Sequence, residues 1–172
     1  VDQNNDGVIN DNDEIMIGNN LPDFNMGVHF NFGYKNVNLF LMITGNFGSE
    51  RLYTNSYYWV YGDRKYSETV INRWTPANST NADYPRLSSQ SNSNNYRSSS
   101  FWLYDDSRIS LSRVQLSYNL KLLSSKMNTN SFHIYIRASN LAMLAKNKDK
   151  IQLNVSSEPQ YSYFNIGLRA NF

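Results

Sequence analysis

Residues 161–172 constrain the fold of this chain most strongly. The apolar members of the segment occupy every second position, at Phe164, Ile166, Leu168, Ala170 and Phe172. A period of two predicts a β-strand with one apolar and one polar face. This alternation, with an aromatic residue at the end, is typical of the closing strand of a bacterial outer-membrane β-barrel. A strand of a soluble β-sandwich alternates in the same way, so this segment alone leaves both folds open.

Four other segments are predicted to be strands, and together with residues 161–172 they predict an all-β, antiparallel chain. Their ranges are 24–34, 37–47, 107–119 and 131–141. The first alternates throughout, and its length matches the roughly 9–11 residues of a tilted membrane strand. In the second, residues 39–43 are apolar on both faces. We therefore expect its inward face to pack against another part of the protein.

The third strand changes its apolar parity midway. Ile109 and Leu111 occupy odd positions, whereas Val114 and Leu116 occupy even ones. One extra residue in a strand produces this shift, so the pattern predicts a β-bulge near residues 112–113. An upper half of the strand that projects beyond the bilayer would explain the shift equally well.

The charges and the connections both favour a membrane barrel. His133, Arg137 and Arg169 fall on the polar faces of their strands, and a cation on the lipid face would cost roughly 2–4 kcal/mol. The predicted connections alternate in length: residues 35–36 are short and 48–106 long, and residues 121–130 are again shorter and 142–160 longer. Short periplasmic turns and long outer loops are the barrel pattern, which predicts that residues 1–23 and 48–106 are extracellular.

Composition excludes several classes of protein. The chain has no Cys, so it holds no disulfide, catalytic thiol or cysteine-based zinc site. A net charge of +2 predicts no nucleic-acid partner. No nucleophile elbow or metal-ligand histidine pair is present, so no enzyme is predicted. The mean hydropathy of −0.59 is compatible with a barrel, because barrel strands are only half apolar. The longest apolar run, residues 39–43, is far below the roughly 20 residues of a membrane helix.

Residues 2–13 fit the twelve-position calcium loop. The candidate ligands alternate along the loop, with Val8 contributing its carbonyl, and they are Asp2, Asn4, Asp6, Val8, Asn10 and Asp13. This spacing wraps oxygen atoms around a hard cation, and Gly7 provides the sharp turn. Position twelve is Asp rather than the bidentate Glu, which lowers the expected affinity. We therefore predict a structural Ca²⁺ in an extracellular loop, while a polar turn without a metal is the alternative.

The long connection is rich in aromatic residues that are candidates for cargo binding. They are Tyr57, Tyr58, Trp59, Tyr61, Trp74 and Trp102. Aromatic faces stack on sugars and peptides, and the Tyr hydroxyls add hydrogen bonds. The same residues can instead pack the loop on itself, on a partner or in the interface girdle, and we favour this second interpretation.

Several motifs together resemble the SusC/RagA-type TonB-dependent transporters. They are DGVI at 6–9 followed by IGN at 17–19 and LP at 21–22, RWTPAN at 73–78, YPRL at 84–87, FWL at 101–103, SRISLSRVQLSY at 107–118, NL at 140–141, and the strand from 166 to 172. Their order and spacing agree over nearly the whole chain. Residues 18–20 lack the usual second proline, and residues 158–159 match only loosely.

The resemblance implies a plugged transmembrane β-barrel of about 22 strands, of which this chain would be the last five. Five strands cannot close a barrel, since the smallest has about eight. The rest of the barrel, the plug and the segment that contacts TonB would lie in a missing N-terminal part. A SusD-like surface lipoprotein would cover the extracellular face. The implied function is import of an oligosaccharide, or less commonly an oligopeptide, across the outer membrane.

One alternative function stays open from the sequence. A calcium-stiffened cell-surface binding module or adhesin, folded as a β-sandwich, would also use the 2–13 loop and the aromatic residues. The terminal Phe172 and the uncharged apolar strand faces favour the barrel over this module.

Overall fold

A five-stranded antiparallel sheet carries most of the regular structure. In this computed structural model, residues 2–90, 94–121, 131–155 and 158–171 are described. The strands in chain order are β1 (Phe24–Tyr34), β2 (Val37–Phe47), β3 (Glu50–Leu52), β4 (Leu103–Asp105), β5 (Arg108–Asn119), β6 (Ser131–Ala145) and β7 (Tyr163–Asn171). The large sheet has the order β1-β2-β5-β6-β7, and β3 and β4 form a separate two-stranded sheet. Every pairing in the large sheet is antiparallel.

Short helices make up the remaining regular structure. The α-helix α1 (Lys148–Leu153) follows β6. Single 3₁₀ turns occur at Asp11–Asp13, Glu68–Val70, Pro76–Asn78, Asn94–Tyr96 and Ser100–Trp102. None of the helices in the described part of the chain is long and apolar enough to cross a membrane.

Backbone contacts divide the chain into two units. The loop unit contains the residues up to Asn20 together with Arg51–Leu103. The sheet unit contains Leu21–Glu50 and the described residues from Tyr104 onward. The long connection predicted at 48–106 is therefore largely a folded unit with a core of its own.

The register of the sheet unit aligns the apolar side chains of all five strands on one face. Phe32 pairs with Leu39, Leu39 with Leu116, Leu116 with Ile136, and Ile136 with Ile166. Because side chains alternate between faces, this alignment repeats at every second residue. The result is an apolar face that runs without interruption across the sheet.

The apolar face is open. Along β7, Phe164 is 71% exposed, Ile166 75% and Leu168 64%. A β-sandwich would cover such side chains with a second sheet packed about 10 Å away. In the described part of the chain no second sheet covers these side chains. An uncovered apolar face of this kind is the one that a membrane barrel turns toward lipid.

The predicted bulge in β5 is confirmed. Met42 pairs with Arg113 while the next residue, Ile43, pairs with Leu111, so Ser112 is the extra residue. Its hydroxyl forms a hydrogen bond with the Thr44 hydroxyl. The bulge keeps Leu111 and the even-numbered residues beyond it on the same apolar face, which explains the shift of parity.

Two of the predicted segments differ from the structure. The fourth strand was expected to end at residue 141, but β6 continues to Ala145. Asn140 takes a left-handed conformation, with φ of 55°, where β6 shifts register against β5. Beyond this irregularity Ala142 and Leu144 return to pairing with β5. The expected loop at 142–160 therefore begins later and contains α1.

The other predicted bounds agree closely with the structure. β1 and β2 coincide with 24–34 and 37–47, and β5 begins one residue later than expected. β7 covers Tyr163–Asn171 of the segment predicted at 161–172. Residue 172 and most of the connection predicted at 121–130 lie outside the described residues.

Candidate functional site

The loop at residues 2–13 is wound around the carboxylate of Asp2. One oxygen of Asp2 accepts a hydrogen bond of 2.7 Å from the Asn5 N–H, and the other accepts one of 2.9 Å from the Gly7 N–H. Gly7 has a φ of 81°, a conformation that favours glycine. The first carboxylate of the loop therefore organises the turn that the sequence predicted at Gly7.

Asp13 closes the loop from its other end. Its carboxylate accepts hydrogen bonds from the Asn10 N–H at 2.9 Å and the Gln3 N–H at 2.6 Å. Asn10 and Asp13 form a reciprocal capping box on the 3₁₀ turn Asp11–Asp13. These N–H donors, Asn10 first and Gln3 second, lower the pKa of Asp13 from its ordinary value of 3.8.

The middle of the loop is held by its own side chains. Asn4 donates from Nδ2 to a carboxylate oxygen of Asp6 at 2.9 Å, and the other oxygen accepts from the Val8 N–H at 2.8 Å. Within the described ranges, no three carboxylate, imidazole or thiol side chains converge to hold a metal. The candidate metal ligands of this loop are instead a mixture of carboxylate, amide and carbonyl oxygens. The hydrogen bonds to Asp2, Asp6 and Asp13 hold the backbone of the loop in its turn without a metal.

The aromatic residues of the loop unit form a core. Tyr58 and Trp102 are buried, and Val60 is fully buried. The Tyr84 hydroxyl donates to the Tyr58 carbonyl at 2.6 Å and accepts from the Val60 N–H at 3.2 Å. Tyr96 donates from its hydroxyl to the Val60 carbonyl at 2.5 Å. Tyrosine hydroxyls thus satisfy the backbone of a segment that has no regular strand or helix.

Trp102 joins this core from the far end of the unit. Its indole N–H donates to the Asn95 carbonyl at 2.9 Å, and its ring packs edge-on against Tyr84 with centroids 5.8 Å apart. The ring centroids of Trp59 and Trp102 lie 6.1 Å apart. Two of the six aromatic candidates, Tyr58 and Trp102, are therefore buried in the core of the loop unit.

The other four candidates retain exposed surface. Trp74 is 39% exposed, while Tyr57, Trp59 and Tyr61 are half-buried. The Arg64 guanidinium lies 4.0 Å from the Tyr61 ring centroid. Burial, followed by the neighbouring Glu68 carboxylate, raises the pKa of the Tyr57 phenol, which donates to Glu68 at 3.2 Å.

Two residues central to this core were not among the sequence candidates. Tyr84 and Tyr96 are both buried and supply the hydroxyl hydrogen bonds that hold Val60. Tyr84 belongs to the YPRL motif, which was a signal of its importance, whereas Tyr96 lies in a Ser- and Asn-rich stretch that gave none.

The polar face of the five-stranded sheet carries the arginines of its strands. Arg137 donates from Nε to the Gln115 side-chain oxygen at 2.9 Å, and its guanidinium lies 5.3 Å from the Tyr135 ring centroid. Phe40, one of the inward apolar residues of β2, stacks on His29 with centroids 6.2 Å apart. One face thus suits lipid and the other a polar interior, which defines the sheet as part of the wall of an outer-membrane β-barrel.

Comparison with known proteins agrees with this fold. The chain is 30% identical over 145 residues to TonB-dependent receptor P26 of Formosa agariphila, a match covering 83% of this chain and 14% of that receptor. It is 26% identical over 189 residues to TonB-dependent receptor P3 of the same organism, covering 99% of this chain and 18% of the receptor. The chain therefore spans less than a fifth of the length of these relatives. No protein-family model matches it.

Solved structures of the RagAB peptide importer have the same fold. The closed-closed state matches with a TM-score of 0.67 at 20% identity, covering 91% of this chain and 18% of that one. The open-open state matches with a TM-score of 0.62 at 18% identity, covering 88% and 17%. The chain belongs to the TonB-dependent receptors, as a barrel segment of the SusC/RagA type.

Proposed function

We propose that this chain is part of the barrel wall of an outer-membrane importer that takes up an oligosaccharide in a TonB-dependent manner. The observation that carries the proposal is the apolar face that continues across all five strands and remains open. Such a face is stable only against hydrocarbon or another apolar surface. The likeness to TonB-dependent receptors supports the transport role.

The proposed assembly has further partners. The remaining strands and the plug of the same protein would close and fill the barrel, because an open sheet edge is unfavourable in lipid. TonB would act through the plug, and a SusD-like lipoprotein would cover the loops. Residues 2–20 and 51–103 would then face the cell exterior, beside that lipoprotein. The match to an assembly named RagAB supports a partner of this kind.

A peptide is the second candidate cargo. It is favoured by one observation, that the matching solved structures are described as a peptide importer. Their identity to this chain is at most 20%, which supports the fold and leaves the cargo to experiment.

Uptake by intact cells tests the proposed function. Strains with the full-length gene, without it, and without TonB are supplied with fluorescent oligosaccharides or oligopeptides. We expect oligosaccharide uptake to be lost both without the gene and without TonB. Uptake that persists without the gene would contradict the proposal, and loss confined to peptides would establish the second candidate.

Of the six aromatic candidates, we propose Tyr57, Trp59, Tyr61 and Trp74 for contact with cargo or lipoprotein. These four residues are at least partly exposed, and stacking on a sugar requires an accessible side chain. Tyr58 and Trp102 belong to the buried core, so their substitution should unfold the loop unit rather than remove a contact.

We also propose that the 2–13 loop binds a structural Ca²⁺ through Asp2, Asn4, Asp6, the Val8 carbonyl, Asn10 and Asp13. The wound backbone around Asp2 and the reach of Asp13 across the loop support this proposal. Calcium would draw the oxygens inward and replace several of the hydrogen bonds described above.

Protease sensitivity tests the calcium proposal. In the full-length transporter, Ca²⁺ should protect the loop from cleavage, and EGTA should remove the protection. An Asp6→Ala variant should lose the effect of Ca²⁺, whereas Asp11→Ala, which changes an acidic residue outside the ligand set, should keep it. Equal cleavage with Ca²⁺ and with EGTA would contradict the proposal.

A further inference from the structure

The five strands of the sheet unit carry charge of one sign. They contain four arginines, and they contain no Lys, Asp or Glu. All four arginines lie on the polar face and are called here the arginine track: Arg108, Arg113, Arg137 and Arg169. In a barrel wall this face is the inner one, so this part of the interior is cationic.

The register places the four arginines in a diagonal line from β5 to β7. Arg113 lies four pairing positions below Arg108, because the bulge at Ser112 absorbs one residue. On β6, Ser139 pairs with Arg113, and Arg137 lies two residues from Ser139 in the direction away from Arg108. Arg169 lies four positions beyond Arg137, which pairs with Asn165. At about 3.4 Å per residue the steps are about 13, 7 and 13 Å.

This length equals a membrane crossing. The track spans ten pairing positions of the sheet, and a tilted barrel strand crosses the bilayer in about 9–11 residues. The cations therefore extend from the loop end of the sheet to its opposite end, as a transport path does.

Two of the arginines have no carboxylate partner within the described residues. Arg113 and Arg169 are exposed, and neither makes an ion pair with another residue of the described ranges. Arg108 is paired with Asp106 at 2.8 Å, and Arg137 is bonded to the neutral Gln115. Guanidinium groups that have no carboxylate partner within the described residues, as at Arg113 and Arg169, attract anions, and guanidinium is well suited to carboxylate and sulfate oxygens.

The rest of the inner face matches a hydroxyl-rich ligand. Amide and hydroxyl side chains occupy much of it, including Asn31, Asn38, Ser110, Ser117, Ser139 and Asn165. Such groups both donate and accept hydrogen bonds, as sugar hydroxyls do. Tyr135 lies close against Gly167 and presents a ring beside Arg137.

We propose that the arginine track guides an anionic oligosaccharide, one that carries carboxylate or sulfate groups, along the inner wall of the barrel. This inference rests on the proposed import function and names its substrate class. Successive guanidinium groups pair in turn with charged groups of the cargo, and the amide and hydroxyl side chains hydrogen-bond the sugar between them.

The test compares binding by the full-length transporter in detergent. The probes are uncharged dextran oligomers, sulfated dextran oligomers of the same length, and glutamate oligomers. The variant Arg113→Gln/Arg169→Gln removes the two exposed charges, and Arg113→Lys/Arg169→Lys is the matched control that keeps them. Each protein is titrated at low and at high salt.

We expect the natural protein to bind the sulfated oligomer more tightly than dextran, with a preference that falls as salt rises. The Gln variant should reduce the ratio of the two affinities about tenfold. This value follows when each ion pair between an arginine and a sulfate group contributes about 0.7 kcal/mol, within the usual range for exposed ion pairs. The Lys variant should keep most of the ratio.

Three results would overturn the inference: no preference for the sulfated oligomer, a preference that the Gln variant keeps in full, or tighter binding of the glutamate oligomer. Loss of stability in the Gln variant with an unchanged ratio would show that the arginines pair with another part of the protein. Binding in detergent does not require TonB, so failure of the import function appears separately, in the uptake experiment.

Discussion

Gly167 shows how a single residue sets the packing of the inner face. A Cβ atom at this position would lie 2.5 Å from the Tyr135 hydroxyl oxygen and 2.6 Å from the ring carbon that bears it. The absence of a side chain on β7 therefore allows the Tyr135 ring to lie across the strand. This arrangement, an aromatic ring covering a cross-strand glycine, also helps to fix the register of a sheet.

We predict that Gly167→Ala destabilises the barrel by about 1–3 kcal/mol, because the Tyr135 ring must leave its position. Gly27 is the matched control, since an added Cβ there meets nothing within 4 Å. Thermal unfolding of the solubilised full-length protein, followed by its heat-dependent mobility in gels, measures both. Equal unfolding temperatures for the two variants would contradict the prediction.

The Tyr84 hydroxyl is a second residue-scale determinant. It bonds both the Tyr58 carbonyl and the Val60 N–H in the buried core of the loop unit. We predict that Tyr84→Phe costs about 1–3 kcal/mol of loop-unit stability, because two buried backbone groups lose their partner. Hydrogen exchange at the Val60 amide should accelerate.

Tyr66→Phe is the control for this substitution, because Tyr66 is 66% exposed and water can replace what its hydroxyl loses. If the Val60 amide of the Tyr84→Phe variant exchanged hydrogen at the same rate as in the natural protein, the prediction that the Tyr84 hydroxyl holds this segment would be contradicted.

At the scale of elements, the irregularity in β6 depends on Asn140. Its φ of 55° lies in the left-handed region, and its side chain donates to the Tyr161 carbonyl at 3.2 Å. We predict that Asn140→Val destabilises the barrel by at least about 1–2 kcal/mol, because a β-branched residue is strained in this conformation. Asn140→Gly removes the same hydrogen bond without strain, so it should be clearly more stable than the Val variant in thermal unfolding. The reverse order would contradict the assignment.

The 2–13 loop should respond to acid in a defined direction. Hydrogen bonds from the Asn10 and Gln3 N–H groups lower the pKa of Asp13 below 3.8. The carboxylate therefore contributes fully to loop stability above pH 3.8, and the contribution is lost as pH falls through the lowered pKa.

Pepsin cleavage measures this response between pH 2 and about 4.5, a range that brackets ordinary aspartate titration. We expect cleavage in the loop to rise as the pH falls below 3.8. Asp13→Asn should be cleaved throughout the range, because its side chain cannot restore the charge. A natural loop that is cleaved equally at all these pH values would argue against the role of Asp13.

Local periodicity explains which elements the sequence could predict. Strict alternation located β1 and β2, and the change of parity located the bulge at Ser112. The end of β6 was missed because Asn140 interrupts the pattern and the residues beyond it are apolar on both faces. The helix α1 has only six residues, too few for a helical period to be evident.

The loop unit could not be predicted in the same way. Its core is built from tryptophan rings and from tyrosine hydroxyls that bond backbone groups 24 to 36 residues away in the sequence. Such contacts leave no repeating pattern in the sequence. Composition identified the aromatic residues, and only the three-dimensional contacts distinguish buried Tyr58 and Trp102 from exposed Trp74.

At the scale of the whole molecule, the two different faces of the sheet explain why this chain has the fold of a barrel wall. One face aligns apolar side chains across five strands, and the other carries all the charge. A barrel wall between lipid and a polar interior needs both properties together. The long connection then forms a separate unit without interrupting the sheet.

Spin labelling of neighbouring residues tests this account most directly. This chain has no Cys, so single cysteines at Gln115, Leu116, Asn165 and Ile166 can be labelled in the full-length protein in lipid, with cysteines elsewhere replaced. We predict that labels at 116 and 166 are accessible to oxygen dissolved in lipid, and labels at 115 and 165 to a water-soluble nickel complex. Equal access of the nickel complex to all four labels would show that the sheet does not face lipid and would contradict the barrel.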